Sequence, residues 1–172
     1  MALPSDLPRG SLLAVVFRVV QKGVDPLGTA GSLKAGGRFN PPNAFGALYT
    51  SLEAPTAIKE VAKGLGLRGI DPEQFPEDAY WIYELEVRLD AVLDLTDPDV
   101  LQKSRVQQDS LTGTDVKATW EIAAQARERG YEALLVPSAP APNSKNLIIF
   151  LDKLEAHPRV LSSKPVRLTK ET

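Results

Sequence analysis

The sequence predicts an α+β fold in which mostly antiparallel strands form a core with two or three flanking helices. Apolar and polar residues alternate from Tyr80 to Leu89, as in a strand that is exposed on one face. Apolar residues recur from Ala54 to Leu65 at the spacing of one helix face. The chain has 172 residues, 43% hydrophobic and 24% charged, which favours a single globular domain over residues 1–172.

The N-terminal part is predicted to contain a buried strand after a loose lead-in at residues 1–10. Residues 11–20 are rich in Leu, Val and Phe, and Arg18 interrupts this apolar run. A charge inside an apolar strand is costly unless it is paired, reaches water or faces a cleft. Arg18 is therefore either an edge-strand residue extended to solvent or a cleft residue. Residues 21–35 contain three glycines and predict a flexible connection.

The first predicted helix follows a short strand at residues 47–51. It begins near Ala54 and ends at the glycines 64 and 66. Glu60 lies about 130° from the centre of the apolar stripe on a helical wheel. On periodicity alone, Glu60 is a solvated residue that pairs with Lys63 three positions further on.

The second half of the chain is predicted to contain strands and helices separated by short turns. A loop at residues 68–79 is followed by strands at 80–89 and 91–95. A short helix at 97–106, a longer helix at 115–129 and two further strands at 133–136 and 146–151 complete the prediction. Asp97 and Asp115 are suited to cap the two helices, and Gly130 ends the second one. Residues 153–172 are polar and predict a surface loop.

Composition excludes several classes of site. The absence of cysteine excludes disulfides, thiolate catalysis and thiolate metal sites. The one histidine, His157, lies in a polar tail and no zinc or calcium motif occurs, so no metal is expected. Neither the glycine-rich dinucleotide motif nor the P-loop motif occurs, so nucleotide binding of the Rossmann or P-loop type is not indicated. A net charge of −2 argues against direct binding to nucleic acid. No apolar run has membrane-spanning length and no signal peptide is recognisable, so we expect a cytoplasmic protein without membrane contact.

The loop at residues 36–46 combines a double glycine, a cation, a double proline and a further glycine. Such a loop holds one shape, and Arg38 lies at its apex. One interpretation is a structural connection before a strand. The other is a ligand site for NAD, because an arginine binds diphosphate or ribose oxygens and an aromatic ring stacks on nicotinamide. A carboxylate such as Glu60 would stabilise the oxocarbenium-like state through which the bond between nicotinamide and ribose breaks.

Several separated motifs resemble the RES domain family, which is named for its Arg, Glu and Ser. In chain order they are FRV at 17–19, GGRFNPP at 36–42, ALYTS at 47–51, the helix from 54 through 61, LLVPS at 134–138 and NLIIF at 146–150. The resemblance spans about residues 12–151, the expected core of the domain. The family more often has Trp at the position of Phe39, and Phe preserves an aromatic platform there.

The resemblance implies a fold similar to that of ADP-ribosyltransferases and a bacterial toxin that consumes NAD as its substrate. It assigns the catalytic roles to Arg38, Glu60 and Ser138. It assigns contacts with NAD to five residues: Arg18, Arg38, Phe39, Tyr49 and Asn146. In physical terms, Arg38 would hold the phosphates or ribose and Glu60 would orient the ribose. Ser138 would donate a hydrogen bond to the ligand or orient Glu60.

The resemblance leaves the acceptor of the ADP-ribose group open. With water or phosphate as acceptor, the protein depletes NAD and arrests growth; with a protein as acceptor, it is a mono-ADP-ribosyltransferase. A third alternative is a non-catalytic protein-binding module of the same fold, although the Arg, Glu and Ser are all present. The implied partner is a helix-turn-helix antitoxin of the Xre type, through which the complex would contact DNA. Homo-oligomer formation stays open.

Overall fold

The computed structural model describes residues 2–170, and this part of the chain contains six strands and four α-helices. The strands are β1 (Gly10–Gln21), β2 (Leu48–Ser51), β3 (Tyr80–Asp94), β4 (Ala133–Pro137), β5 (Lys145–Ile149) and β6 (Arg159–Val166). The helices are α1 (Ala30–Ala35), α2 (Ala54–Leu67), α3 (Pro98–Ser104) and α4 (Lys117–Glu128). Short 3-10 turns lie at Pro72–Gln74, Gln108–Leu111 and Leu151–Lys153. No helix between residues 2 and 170 is long and apolar enough to cross a membrane.

The strands form one sheet in the order β1-β2-β5-β4-β3-β6. The long strand β3 also pairs with β1 along most of its length. Because β1 pairs with both β2 and β3, the first five strands of that order close into a ring, and β6 lies beside the N-terminal half of β3. Among the described strands only β3 and β4 run parallel, so the prediction of mostly antiparallel strands is confirmed.

The closure between β1 and β2 is the weakest part of the ring. These two strands pair at the single position Phe17↔Ser51, whereas β2 pairs with β5 at four positions. Next to Phe17, the side chain of Arg18 bridges the two strands by donating to the carbonyl oxygen of Tyr49 at 3.2 Å. The ring is therefore loosely closed at the place where the predicted site residues of β1 and β2 lie.

Alternate residues of the ring strands face separate apolar clusters. One cluster draws members from all five ring strands and fills the interior of the ring: Val16, Leu48, Leu85, Ala133 and Leu147. Helix α2 covers β1 and β3, where Ala57 and Leu65 share a cluster with Val19 and Ile82. This is the apolar stripe that the sequence predicts for the helix. A third cluster joins α4 to the outer faces of β4 and β5, and the irregular lead-in contributes the buried Leu3 and Leu7 to it.

Strand β3 is continuous where the sequence predicts two strands, at residues 80–89 and 91–95. The pairing of β3 with β1 shifts register at this point. The side chain of Glu132 accepts backbone hydrogen bonds from Asp90 at 2.6 Å and from Ala91 at 3.0 Å. The irregularity breaks the alternation of side chains without ending the strand, which explains why the sequence pattern predicted two strands.

Two elements lie where the sequence predicts only loops. Helix α1 falls within the predicted connection at residues 21–35, and β6 falls within the predicted tail at 153–172. β6 is an edge strand that is exposed along almost its whole length, so it lacks the alternation of a half-buried strand. Its Pro165 is typical of edge strands. Met1 of the lead-in and residues 171–172 of the tail lie outside the described residues.

Candidate active site

The loop that carries Arg38 is a tight turn closed by its own backbone. Gly37 donates to the carbonyl oxygen of Asn40 at 2.8 Å, and Asn40 donates back to Gly37. Gly36 adopts a φ of 73°, which favours glycine. A Cβ atom on Gly37 would lie 2.5 Å from the hydroxyl oxygen of Tyr49, so any larger residue would clash there. The double glycine thus allows Tyr49 to pack directly beneath the turn.

Asn40 and Tyr49 form the internal support of this turn. Asn40 is fully buried, and its side-chain amide donates to the carbonyl oxygens of Ser32 and Phe45 at 2.8 and 3.0 Å. The hydroxyl of Tyr49 donates to the side-chain oxygen of Asn40 at 2.6 Å and accepts from the backbone N–H of Phe39 at 3.0 Å. Burial raises the pKa of Tyr49 to about 12. The hydroxyl of Tyr49 is therefore a fixed structural group, and its ring lines the cleft.

Helix α4 and the loop before it hold Arg38 from the other side. The indole N–H of Trp120 donates to the carbonyl oxygen of Gly37 at 2.7 Å. The hydroxyl of Thr119 donates to the carbonyl oxygen of Arg38, and the guanidinium of Arg38 donates to the carbonyl oxygen of Gly113. Since both the backbone and the side chain of Arg38 are tied, the cation is held in position before any ligand binds.

Glu60 is the centre of a hydrogen-bond network between α2 and the sheet. Its Oε1 atom accepts from the hydroxyl of Ser138 at 2.7 Å and from the side-chain amide of Asn146 at 2.7 Å. The side-chain oxygen of Asn146 accepts in turn from the hydroxyl of Ser51 at 2.7 Å. Oε2 of Glu60 accepts no hydrogen bond from the chain between residues 2 and 170. The carboxylate is thus fixed through one oxygen, and the other is available to a ligand.

The prediction that periodicity made for Glu60 is wrong. Glu60 is half-buried rather than solvated, and it forms no ion pair with Lys63 among the described residues. Its partners come from the ends of β4 and β5, 78 and 86 residues away along the chain. A helical wheel describes only the contacts that a helix makes along one stripe, so it cannot report a second contact of this kind.

Arg18 lies in the cleft, and the alternative of an extended edge-strand residue is wrong. Its side chain donates to the carbonyl oxygens of Tyr49 and Gly28 at 3.2 and 3.4 Å. Its Nε atom is buried and finds no partner among residues 2–170. Burial lowers the pKa of Arg18 to about 10, and the nearby charge of Asp25 partly opposes this. Arg18 remains a cation at neutral pH and is incompletely satisfied by the protein.

Two cavities share the Glu60 network as a common wall. The first has a volume of about 280 Å³ and contains Arg18, and the second has a volume of about 230 Å³ and contains Arg38 and Lys63. Four residues line both: Tyr49, Glu60, Asn146 and Ile148. Small-molecule sites are commonly concave spaces of about 300–1,000 Å³ with a few convergent polar groups. The two spaces together offer a carboxylate between two cationic walls.

The structure brings together almost all of the site residues named from the sequence. All of them except Ser138 line one or both cavities, namely Arg18, Arg38, Phe39, Tyr49, Glu60 and Asn146. Ser138 is 1% exposed and reaches the site through its bond to Glu60. Phe39 is 2% exposed and belongs to the core cluster, so it offers the cavity only a narrow edge rather than an open stacking face.

Several supporting residues were missed at the level of sequence. Ser51 follows Tyr49 by two positions on β2, and the alternation of a strand would have placed it on the same face. Thr119 and Trp120 reach the Arg38 loop through the docking of α4, for which the sequence contains no signal. Between residues 2 and 170, no group of three or more His, Cys, Asp or Glu side chains is arranged to hold a metal ion.

The fold and the cleft define a class of protein. Its mixed sheet closes on itself, and near the weak closure between β1 and β2 a cleft contains a fixed carboxylate and two arginines. The chain belongs to the RES domain family, because the RES domain model matches residues 15–170. This match extends through β6 and the residues after it.

Curated relatives from Mycobacterium bovis and Mycobacterium tuberculosis are similar to this chain and are named NAD(+) phosphorylase MbcT. Each is 30% identical over 115 residues, which are 67% of this chain and 62% of the relative. The match thus spans less than two thirds of the length of these relatives. A chain in the crystal structure of the Mycobacterium tuberculosis MbcT–MbcA toxin–antitoxin complex has a similar fold, with a TM-score of 0.81 and 24% identity. That likeness covers 91% of this chain and 85% of the other.

Proposed function

We propose that this protein cleaves the bond between nicotinamide and ribose in NAD and transfers the ADP-ribose group to inorganic phosphate, and that the resulting loss of NAD arrests growth. The observation that carries the proposal is the carboxylate of Glu60, fixed by Ser138 and Asn146 between Arg18 and Arg38. The name of the similar relatives, NAD(+) phosphorylase, supports the choice of reaction. We further propose that the fold is of the ADP-ribosyltransferase type.

The reaction needs charge stabilisation more than proton transfer. Nicotinamide leaves as a neutral pyridine that takes the bonding electron pair, so no general acid is required. Positive charge then develops on the ribose carbon and ring oxygen, and a phosphate oxygen completes the reaction by bonding to that carbon. A preorganised carboxylate beside the ribose lowers the energy of this state.

We assign the free oxygen of Glu60, Oε2, to the ribose. Ser138 and Asn146 act as positioning residues, since both donate to Oε1 and so prevent rotation of the carboxylate. The ring of Tyr49 lies in the wall common to both cavities and is suited to contact the nicotinamide or the ribose. Phe39 is almost completely buried, so it can contact NAD only through the small part of its surface that lines the second cavity.

We assign anionic parts of the two substrates to the arginines. Arg38 uses one of its five N–H donors on Gly113, and the others remain for phosphate oxygens. Arg18 has a buried, unpartnered Nε, and an anion in the first cavity would supply the missing partner. A guanidinium binds phosphate in a planar two-pronged geometry, which makes both arginines suitable.

The proposal is tested by incubating the purified protein with NAD in the presence and absence of phosphate and identifying the products by mass spectrometry. We expect nicotinamide and ADP-ribose 1″-phosphate when phosphate is present. Replacing Glu60 with Gln should lower the rate by about 100-fold or more, because the charge that stabilises the transition state is lost. The same replacement at the exposed Glu121 is the matched control and should leave the rate unchanged.

Four outcomes would each contradict a part of the proposal. Failure of the wild-type protein to consume NAD would refute the proposed function. Equal rates for the Glu60 variant and the wild type would refute the catalytic role of Glu60. Release of free ADP-ribose in excess phosphate would make water the acceptor. Labelling of a discrete protein band by radioactive NAD in a lysate would favour the alternative, mono-ADP-ribosyl transfer.

We also propose that an antitoxin of the Xre helix-turn-helix type binds this protein and restrains its activity. The fold likeness to a chain of a toxin–antitoxin complex and membership of the RES domain family support this. Expression of the chain alone is expected to stop bacterial growth, and Arg38→Ala is expected to relieve the arrest. Normal growth during expression of soluble, intact protein would contradict the toxin role.

A further inference from the structure

Helix α2 has a second face, opposite to its buried stripe, that lines the second cavity. This face is formed by Glu60, Lys63, Gly64 and Leu67, which lie at the helical spacing i, i+3, i+4 and i+7. The first of these residues is the carboxylate described above. The other three have no role in the network around Glu60, and they continue the cavity towards the C-terminal end of the helix.

Lys63 is a cation that forms no ion pair in the described part of the protein. It is half-buried, and its side chain forms no hydrogen bond or ion pair with residues 2–170. Glu60, one turn earlier, is held by the sheet through its Oε1 atom and forms no ion pair with Lys63. Lys63 and Arg38 line the same cavity of about 230 Å³. With the carboxylate of Glu60 in the same wall, the two cations leave the cavity with a net positive charge, which favours an anionic group such as a diphosphate.

Leu67 extends the same face with apolar surface. Leu67 is 75% exposed and lines the cavity, so its apolar surface is accessible to a ligand there. A Cβ atom added to Gly64 would meet nothing within 4 Å, so the space between Lys63 and Leu67 is open to a ligand. A flat organic group can therefore lie over the helix at this point.

The order of these groups along the helix matches the order of the groups in a dinucleotide. At a rise of about 1.5 Å per residue, Lys63 lies about 4.5 Å and Leu67 about 10.5 Å beyond Glu60 along the axis. A carboxylate, a cation and an apolar surface thus follow one another, as ribose, diphosphate and base do in NAD. We propose that Lys63 binds the diphosphate of the substrate and that Leu67 packs against its adenine base.

This inference rests on the proposed function and predicts which substrates each variant will affect. The substrates are NAD, nicotinamide mononucleotide, which lacks the adenosine monophosphate part, and nicotinamide riboside, which lacks all phosphate. Lys63→Gln should raise KM about tenfold for NAD and for the mononucleotide, equivalent to about 1.4 kcal/mol, and leave kcat unchanged. Leu67→Ser should raise KM about fivefold for NAD alone. Neither variant should affect the riboside.

A binding measurement separates recognition from turnover. The dissociation constant of ADP-ribose, determined by calorimetry, should rise about tenfold in Lys63→Gln and should be largely restored in Lys63→Arg. Lys59→Gln removes the same charge from an exposed position of the same helix and should leave this constant unchanged. Both test positions are accessible to solvent, so the melting temperatures of the variants should stay close to that of the wild type.

The outcomes distinguish this inference from the proposed function. If the wild-type protein consumes NAD but Lys63→Gln binds ADP-ribose as tightly as the wild type, the assignment of Lys63 is wrong. An equal rise in KM for nicotinamide riboside would also overturn it, because that substrate has no phosphate. If Leu67→Ser raises KM for the mononucleotide as much as for NAD, the assignment of Leu67 to the base is wrong. Absence of NAD consumption by the wild type would instead refute the proposed function.

Discussion

Replacing Arg18 with methionine is expected to stabilise the protein while weakening its affinity for an anionic ligand. Burial lowers the pKa of Arg18 from its usual value to about 10, which corresponds to about 3 kcal/mol of free energy against the charged side chain. Its bonds to the carbonyl oxygens of Tyr49 and Gly28 are long, at 3.2 and 3.4 Å. Their loss costs about 1 kcal/mol each. The free energy of unfolding should therefore rise by about 1 kcal/mol.

For a chain of this length, such a gain raises the melting temperature by about 2–4 °C. Scanning calorimetry measures this shift, and titration calorimetry should show ADP-ribose binding about tenfold more weakly. Arg127→Met is the matched control, because Arg127 forms a two-pronged ion pair with Asp152 at 2.7 Å and lies over the ring of Phe45. Its melting temperature should fall. If the melting temperature of Arg18→Met falls as far as that of the control, Arg18 stabilises the fold and our reasoning is wrong.

Three further predictions follow from the site. Gly37→Ala should lower the free energy of unfolding by about 1–3 kcal/mol in urea denaturation, since its Cβ would clash with Tyr49, whereas Gly31→Ala, whose Cβ meets nothing, should not. Ser138→Ala and Asn146→Ala should each lower kcat/KM about tenfold. Because both side chains bind the same oxygen of Glu60, the loss in the double variant should be much smaller than the two single losses combined. Additive losses would contradict this. Burial raises the pKa of Tyr49 to about 12, so the unfolded chain loses that proton first and stability should fall as pH rises above about 10. Tyr49→Phe should remove that part of the slope, and an unchanged slope would refute the assignment.

The elements that the sequence predicts well are those whose pattern reflects a local contact. The apolar stripe of α2 is visible because one helix face packs against one surface of the sheet. The turn around Arg38 is visible because glycine permits a positive φ and proline fixes φ, so both residue types mark a turn directly in the sequence. In both cases the residues that reveal the structure are close together along the chain.

The elements that the sequence does not predict depend on distant contacts. Glu60 looks solvated on a helical wheel, and its burial comes from Ser138 and Asn146 on strands far along the chain. β6 is held through its pairing with β3, and its own side chains are mostly exposed. Trp120 supports the Arg38 loop only because α4 docks there. The candidate site residues came from the resemblance to a family, because the separated motifs of that family include residues that meet only in the folded protein.

The placement of the ribose at Glu60 is tested most directly by a crystal structure of the Glu60→Gln variant with NAD bound. We predict that the ribose next to nicotinamide contacts residue 60 in the wall shared by the two cavities. The diphosphate should lie between Arg38 and Lys63, and the adenine should lie on Leu67. NAD bound outside both cavities, or with its reacting ribose turned away from residue 60, would contradict the account.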